Sequence, residues 1–164
     1  MSLEIERKFL VRPKSWTPDE TRGVRYRQGY LSTDPARVVR IRTAGPSAFV
    51  TIKGPNTGTV RSEFEYKIPL ADAEVMLDRL CAKPLIEKFR YRETVGGRVW
   101  EIDVFSGDNA GLVVAEVELP AADAPVVLPD WAGAEVSNDP RYFNSNLVQH
   151  PFSSWNADGD HARA

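Results

Sequence analysis

The sequence predicts a mainly β protein of the α+β class, an eight-stranded antiparallel sheet closed into a barrel with a few flanking helices. Three observations lead to this prediction. Apolar and polar residues alternate with a period of two along most of the chain, which is typical of half-buried strands. Clusters of Gly and Pro separate the alternating segments. Charged residues are sorted onto one face of most of these segments, and a sheet of this size can curl into a barrel that has no free edge.

The strands are predicted wherever the alternation is uninterrupted. They are Glu4–Val11, Gly23–Leu31, Ala36–Ala44, Ala48–Lys53, Arg61–Ile68, Ile86–Val95, Arg98–Val104 and Leu112–Leu119. Between the sixth and seventh of them lie only Gly96 and Gly97. Two glycines between alternating segments predict a two-residue β-hairpin, because such turns need positive φ angles.

Two helices are predicted. Apolar residues recur at helical spacing over Leu70–Cys81, and Pro84 follows shortly afterwards. Near the end of the chain, Asp139 and Pro140 have the residue types of an N-cap and a first helical position. They predict a short helix that continues to about Leu147.

The remaining segments are predicted to lack regular structure. Residues 121–137 are expected to be mostly loop, with at most one short helix. The chain of 164 residues is long enough for one domain with a substantial core. We assign residues 1–150 to that domain and expect residues 151–164 to form a flexible C-terminal tail.

The composition excludes several classes of function. The net charge of −2 gives no reason to expect a nucleic-acid or membrane partner. Cys81 is the single cysteine, so no intrachain disulfide can form, and no segment resembles a signal peptide or a membrane helix. A cytoplasmic location is therefore expected. His150 and His161 both lie near the C-terminus, which argues against Ser-His-Asp catalysis and a His-ligated zinc site.

Charged residues two positions apart share a strand face. The faces are Glu4, Glu6 and Lys8; Arg40 and Arg42; Lys53; Glu63, Glu65 and Lys67; Lys88, Arg90 and Arg92; Glu101 and Asp103; Glu116 and Glu118. Each face alone can be the solvent side of an antiparallel sheet. Like charges at this spacing repel one another, however, unless opposite charge lies between them. A polyanion would satisfy the cations and a divalent metal the carboxylates, so together the faces predict a metal–polyphosphate site.

The motifs that carry these charges also occur in a specific order. They are LEIERKFLV, RQGYLS, VRIR, TIKG, RSEFEYKI, IEKFRYR, EIDVF, AEVEL and EVSNDPRYFNSNL. In this order they resemble the CYTH domain family, the triphosphate tunnel metalloenzymes, and in particular its short bacterial inorganic triphosphatases. The similarity extends to about Leu147. One Glu-x-Glu-x-Lys motif arises easily by chance in charged strands, whereas so many matches in order are specific.

The resemblance implies a barrel whose interior binds a triphosphate with a divalent cation, and it assigns the residues. Those that would hold the metal are Glu4, Glu6, Glu116 and Glu118. Those that would bind phosphate are Lys8, Arg40, Arg42, Lys53, Lys88 and Arg90. Residues expected to face the interior and to ligate metal or orient the cations are Glu63, Glu65 and Asp103. Arg92 and Lys67 share these faces, and Arg92 is expected to support the site from a second layer. Carboxylate ligands without His or Cys favour Mg²⁺ or Mn²⁺ over zinc.

The expected reaction is metal-dependent hydrolysis of inorganic triphosphate to pyrophosphate and phosphate. A water near the carboxylates would attack the terminal phosphorus in line. Glu4, Glu6 and Glu118 are the candidates for orienting that water, and the resemblance adds Lys8 and Tyr30 as a pair near the attack site. The same fold also leaves open an adenylyl cyclase, a thiamine or nucleoside triphosphatase, and a non-catalytic polyphosphate sensor. A homodimer would cover the apolar outer faces of the barrel.

Overall fold

Alternation of apolar and charged residues produces the long strands that the sequence predicts. The structure is a computed structural model that describes residues 1–158. The long strands are β1 (Ser2–Val11), β2 (Val24–Ser32), β3 (Val38–Ala44), β4 (Ser47–Lys53), β5 (Val60–Ile68), β6 (Ile86–Val95), β7 (Arg98–Phe105) and β8 (Val113–Glu118). Each end lies close to its predicted position, because the strands stop where the alternation stops.

The sheet closes on itself. Its strand order is β5-β4-β3-β2-β6-β7-β8-β1, and β1 pairs with β5 to complete the barrel. All neighbouring strands are antiparallel. At the closing seam Glu4 lies opposite Arg61, and on the other side of β1 Lys8 lies opposite Glu116. The predicted eight-stranded antiparallel barrel is confirmed.

The β6–β7 hairpin has the predicted two-residue turn. Val95 pairs with Arg98 across it, and Gly96 and Gly97 have φ angles of 60° and 79°. A Cβ atom on Gly96 would lie 2.7 Å from the Cβ of Val127. Both the backbone conformation and the close approach therefore require glycine at the first position.

A short ninth strand, β9 (Ala132–Glu135), corrects the expectation of a loop over residues 121–137. It pairs antiparallel with the second half of β1, where Val11 faces Ala132 and Phe9 faces Glu135. The strand has four residues, too few for alternation to be recognisable. Its formation depends on a partner that lies far away in the chain, so local sequence carries no signal for it.

The helices match the prediction in part. Helix α1 (Leu70–Arg79) buries Ala73 and Leu77 against the outside of β3 and β4. Asp139 accepts a hydrogen bond from the backbone N–H of Arg141, as an N-cap does.

The expected continuous helix from Pro140 to Leu147 is wrong. One turn over Pro140–Tyr142 ends at Phe143, whose backbone is extended, and helix α2 (Asn144–Gln149) begins after it. The carbonyl oxygen of Tyr142 accepts a hydrogen bond from the Nζ of Lys8 instead of continuing a helix.

The segment after Pro151 corrects the expectation of a flexible tail. Phe152 and Trp155 are 5% and 6% exposed and belong to the core. The ring of Trp155 packs edge-on against Tyr142 and Phe152, with centroids 5.1 Å apart in each case, and its Nε1 donates to the carbonyl of His150 at 3.1 Å. Residues 159–164 of the predicted tail, including His161, lie outside the described residues.

Apolar residues that alternate with the charged ones point outwards, and other segments cover part of this outer surface. Trp100 is fully buried between Phe9 and Trp131, with ring centroids 5.6 and 5.5 Å away. Helix α1 covers another part of the outer surface. With the apolar faces turned outwards, the charged faces are left to fill the interior. Among the helices of residues 1–158, none has the length and apolar character needed to cross a membrane.

Candidate active site

The barrel encloses a charged cavity of about 230 Å³, to which all eight long strands contribute. Nearly all of the residues predicted for the site lie on its wall. They are Glu4, Glu6, Lys8, Tyr30, Arg40, Arg42, Lys53, Glu63, Glu65, Lys88, Arg90, Arg92, Glu116 and Glu118. The charged faces therefore converge on one space and are not the solvent side of an open sheet.

Two further predicted interior residues lie elsewhere. Asp103 is 2% exposed and is placed behind the wall, where its carboxylate lies 2.7 Å from the Nζ of Lys88 and 2.7 Å from the Nε of Arg90. It therefore orients these two cations, one of the roles expected for it. Lys67 follows Glu65 on β5 but is exposed and does not line the cavity. It is the second-last residue of β5.

Three arginines that line the cavity have unused hydrogen-bond donors. The Nε atoms of Arg40, Arg42 and Arg61 are buried, and no acceptor among the described residues reaches them. Burial and the neighbouring charges of Arg40 and Arg90 lower the pKa of Arg42 to about 10. The arginines thus repel one another and keep directed N–H groups for an anion.

The carboxylates of the cavity include two close pairs. Glu4 hydrogen-bonds Glu63, and Glu6 hydrogen-bonds Glu116. Burial and the charges of Glu116 and Glu4 raise the pKa of Glu6 well above its ordinary value. Burial and Glu4 likewise raise the pKa of Glu63 to about 7. Glu6 and Glu63 therefore bind protons more readily than ordinary carboxyl groups, and a metal ion would compete with those protons.

The other member of each pair is held ionised by cations. Burial alone would raise the pKa of Glu4, but Lys53, whose Nζ lies 2.8 Å from Oε1, lowers it below the ordinary value. Burial would also raise the pKa of Glu116, but Lys8 and Arg90 outweigh it and lower that pKa. The fourth predicted ligand, Glu118, has a pKa raised by burial and by Glu4.

The two buried lysines differ in their electrostatics. Burial would lower the pKa of Lys8, but Glu116 and Glu6 outweigh it and raise that pKa. Burial lowers the pKa of Lys88 to about 8, although Asp103 opposes the shift. No hydrogen bond joins the predicted pair of Lys8 and Tyr30 among the described residues: Lys8 donates to the carbonyl of Tyr142, and the hydroxyl of Tyr30 accepts from Gln28. Lys8 and Tyr30 influence each other only through their charges.

The carboxylates are a suitable but incomplete ligand set for a divalent metal. Within residues 1–158, no three Asp, Glu, His or Cys side chains already surround a common point. Mg²⁺ is usually held by one or two carboxylates, with water and substrate phosphate completing its octahedron. The paired oxygens of Glu4, Glu6, Glu116 and Glu118 fit that chemistry, in which substrate supplies part of the shell.

Sequence reasoning missed several residues on the cavity wall. Arg61 continues the face of Glu63 and Glu65 by one step, so the alternation contained a signal for it. Phe143, Asn144 and Ser145 also line the cavity. They reach it from beyond the barrel, so no strand pattern could identify them.

Comparisons with known proteins agree with this site. The model of the CYTH domain matches residues 2–151. A protein of Acetivibrio thermocellus named inorganic triphosphatase is 46% identical over 155 residues, which is 94% of this chain and 99% of the relative. Another of that name, from Nitrosomonas europaea, is 36% identical over 149 residues, 88% of this chain and 96% of the relative. A crystal structure of an inorganic triphosphatase matches with a TM-score of 0.63 at 36% identity, covering 90% of this chain and 95% of that one. The chain belongs to the CYTH domain family, and this membership implies a requirement for a divalent metal.

Proposed function

We propose that this protein hydrolyses inorganic triphosphate to pyrophosphate and phosphate with Mg²⁺ or Mn²⁺ as cofactor. One observation carries the proposal: a single cavity brings together many arginines and lysines with several carboxylates, two pairs of which are close neighbours. A polyanion and a divalent cation together are the ligands that such an arrangement neutralises. The named inorganic triphosphatases similar to this chain support the choice of substrate.

The cations would bind the phosphates. Arg40, Arg42 and Arg61 line the cavity and have Nε donors without a partner among the described residues, and arginine binds phosphate oxygens in a bidentate manner. Lys53 can turn from Glu4 to a phosphate with little movement, because both already line the cavity. This fixed positive environment also stabilises the charge that develops during phosphoryl transfer.

The carboxylates would hold the metal. Glu4, Glu6, Glu116 and Glu118 supply oxygen ligands, which favour Mg²⁺ or Mn²⁺. When bound, the divalent ion supplies Lewis-acid polarisation of the phosphate oxygens. Glu63 and Glu65 stand next to this group and bind Lys53, Arg40 and Arg42, so they orient the phosphate-binding side chains.

Proton transfer would involve groups that change charge near neutrality. Among the cationic residues of the cavity, Lys88 has a pKa of about 8, so its neutral amine is accessible near physiological pH. Near neutral pH the ammonium form predominates and would donate to a phosphate oxygen, and the minor neutral form could accept the proton of an attacking water. Glu6 and Glu4 would orient that water, and the neutral phenol of Tyr30 would donate to a phosphate oxygen, since burial raises its pKa.

A nucleotide substrate has less support. Trp16 packs against Tyr91, and Trp131 packs against Trp100, so neither tryptophan faces the cavity. The rings of Tyr26 and Phe143 do line it, but Arg42 and Arg90 lie over Tyr26, and Lys8 lies over Phe143. These cations occupy the positions where a base would stack.

A substrate panel tests the proposal. Purified protein is given inorganic triphosphate, ATP or thiamine triphosphate with Mg²⁺ or Mn²⁺, and released phosphate and cyclic AMP are measured. We expect turnover of inorganic triphosphate to exceed that of the other two substrates. Cyclic AMP as the main product would reject the proposal in favour of a cyclase, and binding of triphosphate without turnover would favour a sensor.

Variants then test the assigned residues. We expect Glu6→Gln to lower kcat by about 100-fold or more, and Arg42→Ala to raise KM for triphosphate. Lys67→Ala is the matched control, because it removes a cation from the same barrel outside the cavity. If the control changes the kinetics as much as Arg42→Ala does, the assignment of the cavity as the active site is wrong.

A further inference from the structure

A chain of buried hydrogen bonds connects Lys88 to Tyr30 through two residues that have no assigned role. The Nζ of Lys88 donates to the Oδ1 of Asn144 at 3.0 Å. The Nε2 of Gln28 donates to the same oxygen at 3.1 Å and to the hydroxyl of Tyr30 at 3.1 Å. Gln28 lies on β2 and is completely buried, whereas Asn144 is the first residue of α2.

The directions of these hydrogen bonds follow from chemistry. The ammonium of Lys88 can only donate, so the atom of Asn144 that faces it must be the oxygen. That oxygen also faces Gln28, which must therefore present its amide nitrogen. The nitrogen has two protons, one for Asn144 and one for Tyr30, so the hydroxyl of Tyr30 is an acceptor in this contact. Lys88 and Gln28 are thus the donors of these three hydrogen bonds, and Asn144 and Tyr30 are the acceptors.

Both N–H groups of Gln28 are used within the network, and Lys88 and Tyr30 each keep a donor for the cavity. The two N–H groups of Gln28 and both lone pairs of the Asn144 oxygen are engaged. Lys88 has three N–H groups, of which Asp103 and Asn144 accept two. Its third N–H and the hydroxyl proton of Tyr30 remain, and both side chains line the cavity.

We propose that Gln28 and Asn144 are positioning residues, which together aim the ammonium of Lys88 and the hydroxyl of Tyr30 at the triphosphate. This inference rests on the proposed function. It also gives a purpose to the break at Phe143, because the extended residue lets α2 begin with Asn144 beside the cavity. Helix α2 then completes the active site at the end of the barrel where β6 begins.

The loss of either positioning residue should affect the chemical step more than binding. Arg40, Arg42 and Arg61 keep their donors in both variants, so affinity for triphosphate should change little. Lys88 and Tyr30 are then less well oriented, because the hydrogen-bond network that holds them is interrupted. Small misplacement of reacting groups lowers the rate strongly. A second consequence is that the losses of kcat in the two single variants should not multiply in the double variant. Either substitution alone already interrupts the hydrogen-bond network.

The experiment compares Asn144→Ala, Gln28→Met and the double variant in steady-state hydrolysis of inorganic triphosphate with Mg²⁺. Methionine fills the volume of Gln28 without hydrogen bonding, and alanine is compatible with α2. Gln149→Ala is the matched control, since Gln149 lies on the same helix and donates to Thr33 outside the cavity, at 3.2 Å. Melting temperatures of all variants are recorded.

We expect each single variant to lower kcat by about tenfold or more while KM stays within about threefold. We expect the double variant to be no more than about threefold below the slower single variant. A folded Asn144→Ala with kcat within about twofold of wild type would overturn the inference, and so would losses that multiply in the double variant. Equal loss in Gln149→Ala would show that only packing of α2 matters and would overturn it too.

Two other outcomes have to be separated from a failure of the positioning role: an unfolded Gln28→Met variant and an inactive wild-type protein. If Gln28→Met does not fold, kcat and KM of Asn144→Ala decide the question against Gln149→Ala alone. If the wild-type protein itself does not hydrolyse triphosphate, the proposed function fails and the role of both positioning residues fails with it. Active wild type with unaffected variants refutes only the positioning role.

Discussion

Asp103 balances two buried cations, and its replacement by asparagine has an effect that can be worked out from the structure. The carboxylate lies 2.7 Å from the Nζ of Lys88 and 2.7 Å from the Nε of Arg90. Asp103→Asn keeps the shape but removes the negative charge. Arg90 retains Glu101, 3.3 Å away, so the unpaired buried charge is mainly that of Lys88. Leaving one partner of a buried pair uncompensated costs about 3–5 kcal/mol, and we expect the lower part of this range.

The loss should depend on pH, with a sign that follows from Lys88. Its pKa in the folded protein is about 8 because burial outweighs Asp103, and removing Asp103 lowers it further. The folded variant then binds fewer protons than the unfolded chain around neutral pH. Its stability therefore rises with pH relative to wild type, until Lys88 is neutral in both states. The destabilisation should be larger at pH 6 than at pH 9.

Urea unfolding of wild type and Asp103→Asn at these two pH values measures the effect. Asp139→Asn is the control, because Asp139 pairs with Arg141 at 2.8 Å in a partly exposed position, where such a pair contributes about 0–1 kcal/mol. A loss below about 1 kcal/mol for Asp103→Asn at pH 6 would refute the reasoning. An equal loss at both pH values would refute the assignment of the unpaired charge to Lys88.

Three further predictions concern other parts of the molecule. Arg61→Ala should raise KM for triphosphate by about tenfold or more, since charged hydrogen bonds contribute about 1.5–3 kcal/mol; unchanged kinetics would remove Arg61 from the site. The pKa of Glu63 is raised to about 7, so its contribution to the stability of the metal-free protein is present at low pH and is lost as pH rises through 7. The increase in melting temperature caused by Mg²⁺ should therefore be greater at pH 8 than at pH 5.5, and equal increases contradict this. Trp155→Ala should lower the free energy of unfolding by about 3–5 kcal/mol in urea titrations, whereas a flexible segment would give almost no change.

Strand positions and the composition of the cavity could be predicted from the sequence because both depend on a local pattern. Side chains two residues apart share a face, so Arg40 and Arg42 had to point into the same space once the sheet closed. The same rule applies to Glu116 and Glu118. Repulsion within each like-charged pair then favoured an interior with ligands of both signs.

The parts that could not be predicted depend on contacts between distant segments. Gln28 and Asn144 meet across 116 positions of the chain, and neither belongs to a charged face. Strand β9 forms only because β1 offers it an edge. Trp155 lies in a segment without periodicity and is buried by Tyr142 and Phe152. Each of these features follows from tertiary packing, which overrides local propensity.

The interior ion pairs explain how so polar a barrel can fold before it meets a ligand. Lys53 pairs with Glu4 at 2.8 Å, and Lys88 pairs with Asp103 at 2.7 Å. Removing such charges from water is tolerable only when each has a partner. A polyanion alone would pair with the lysines and arginines and leave the carboxylates to repel one another. A metal alone would pair with the carboxylates and leave the lysines and arginines to repel one another. Triphosphate and metal together would replace both sets of partners at once, so we expect the binding of each ligand to favour the binding of the other.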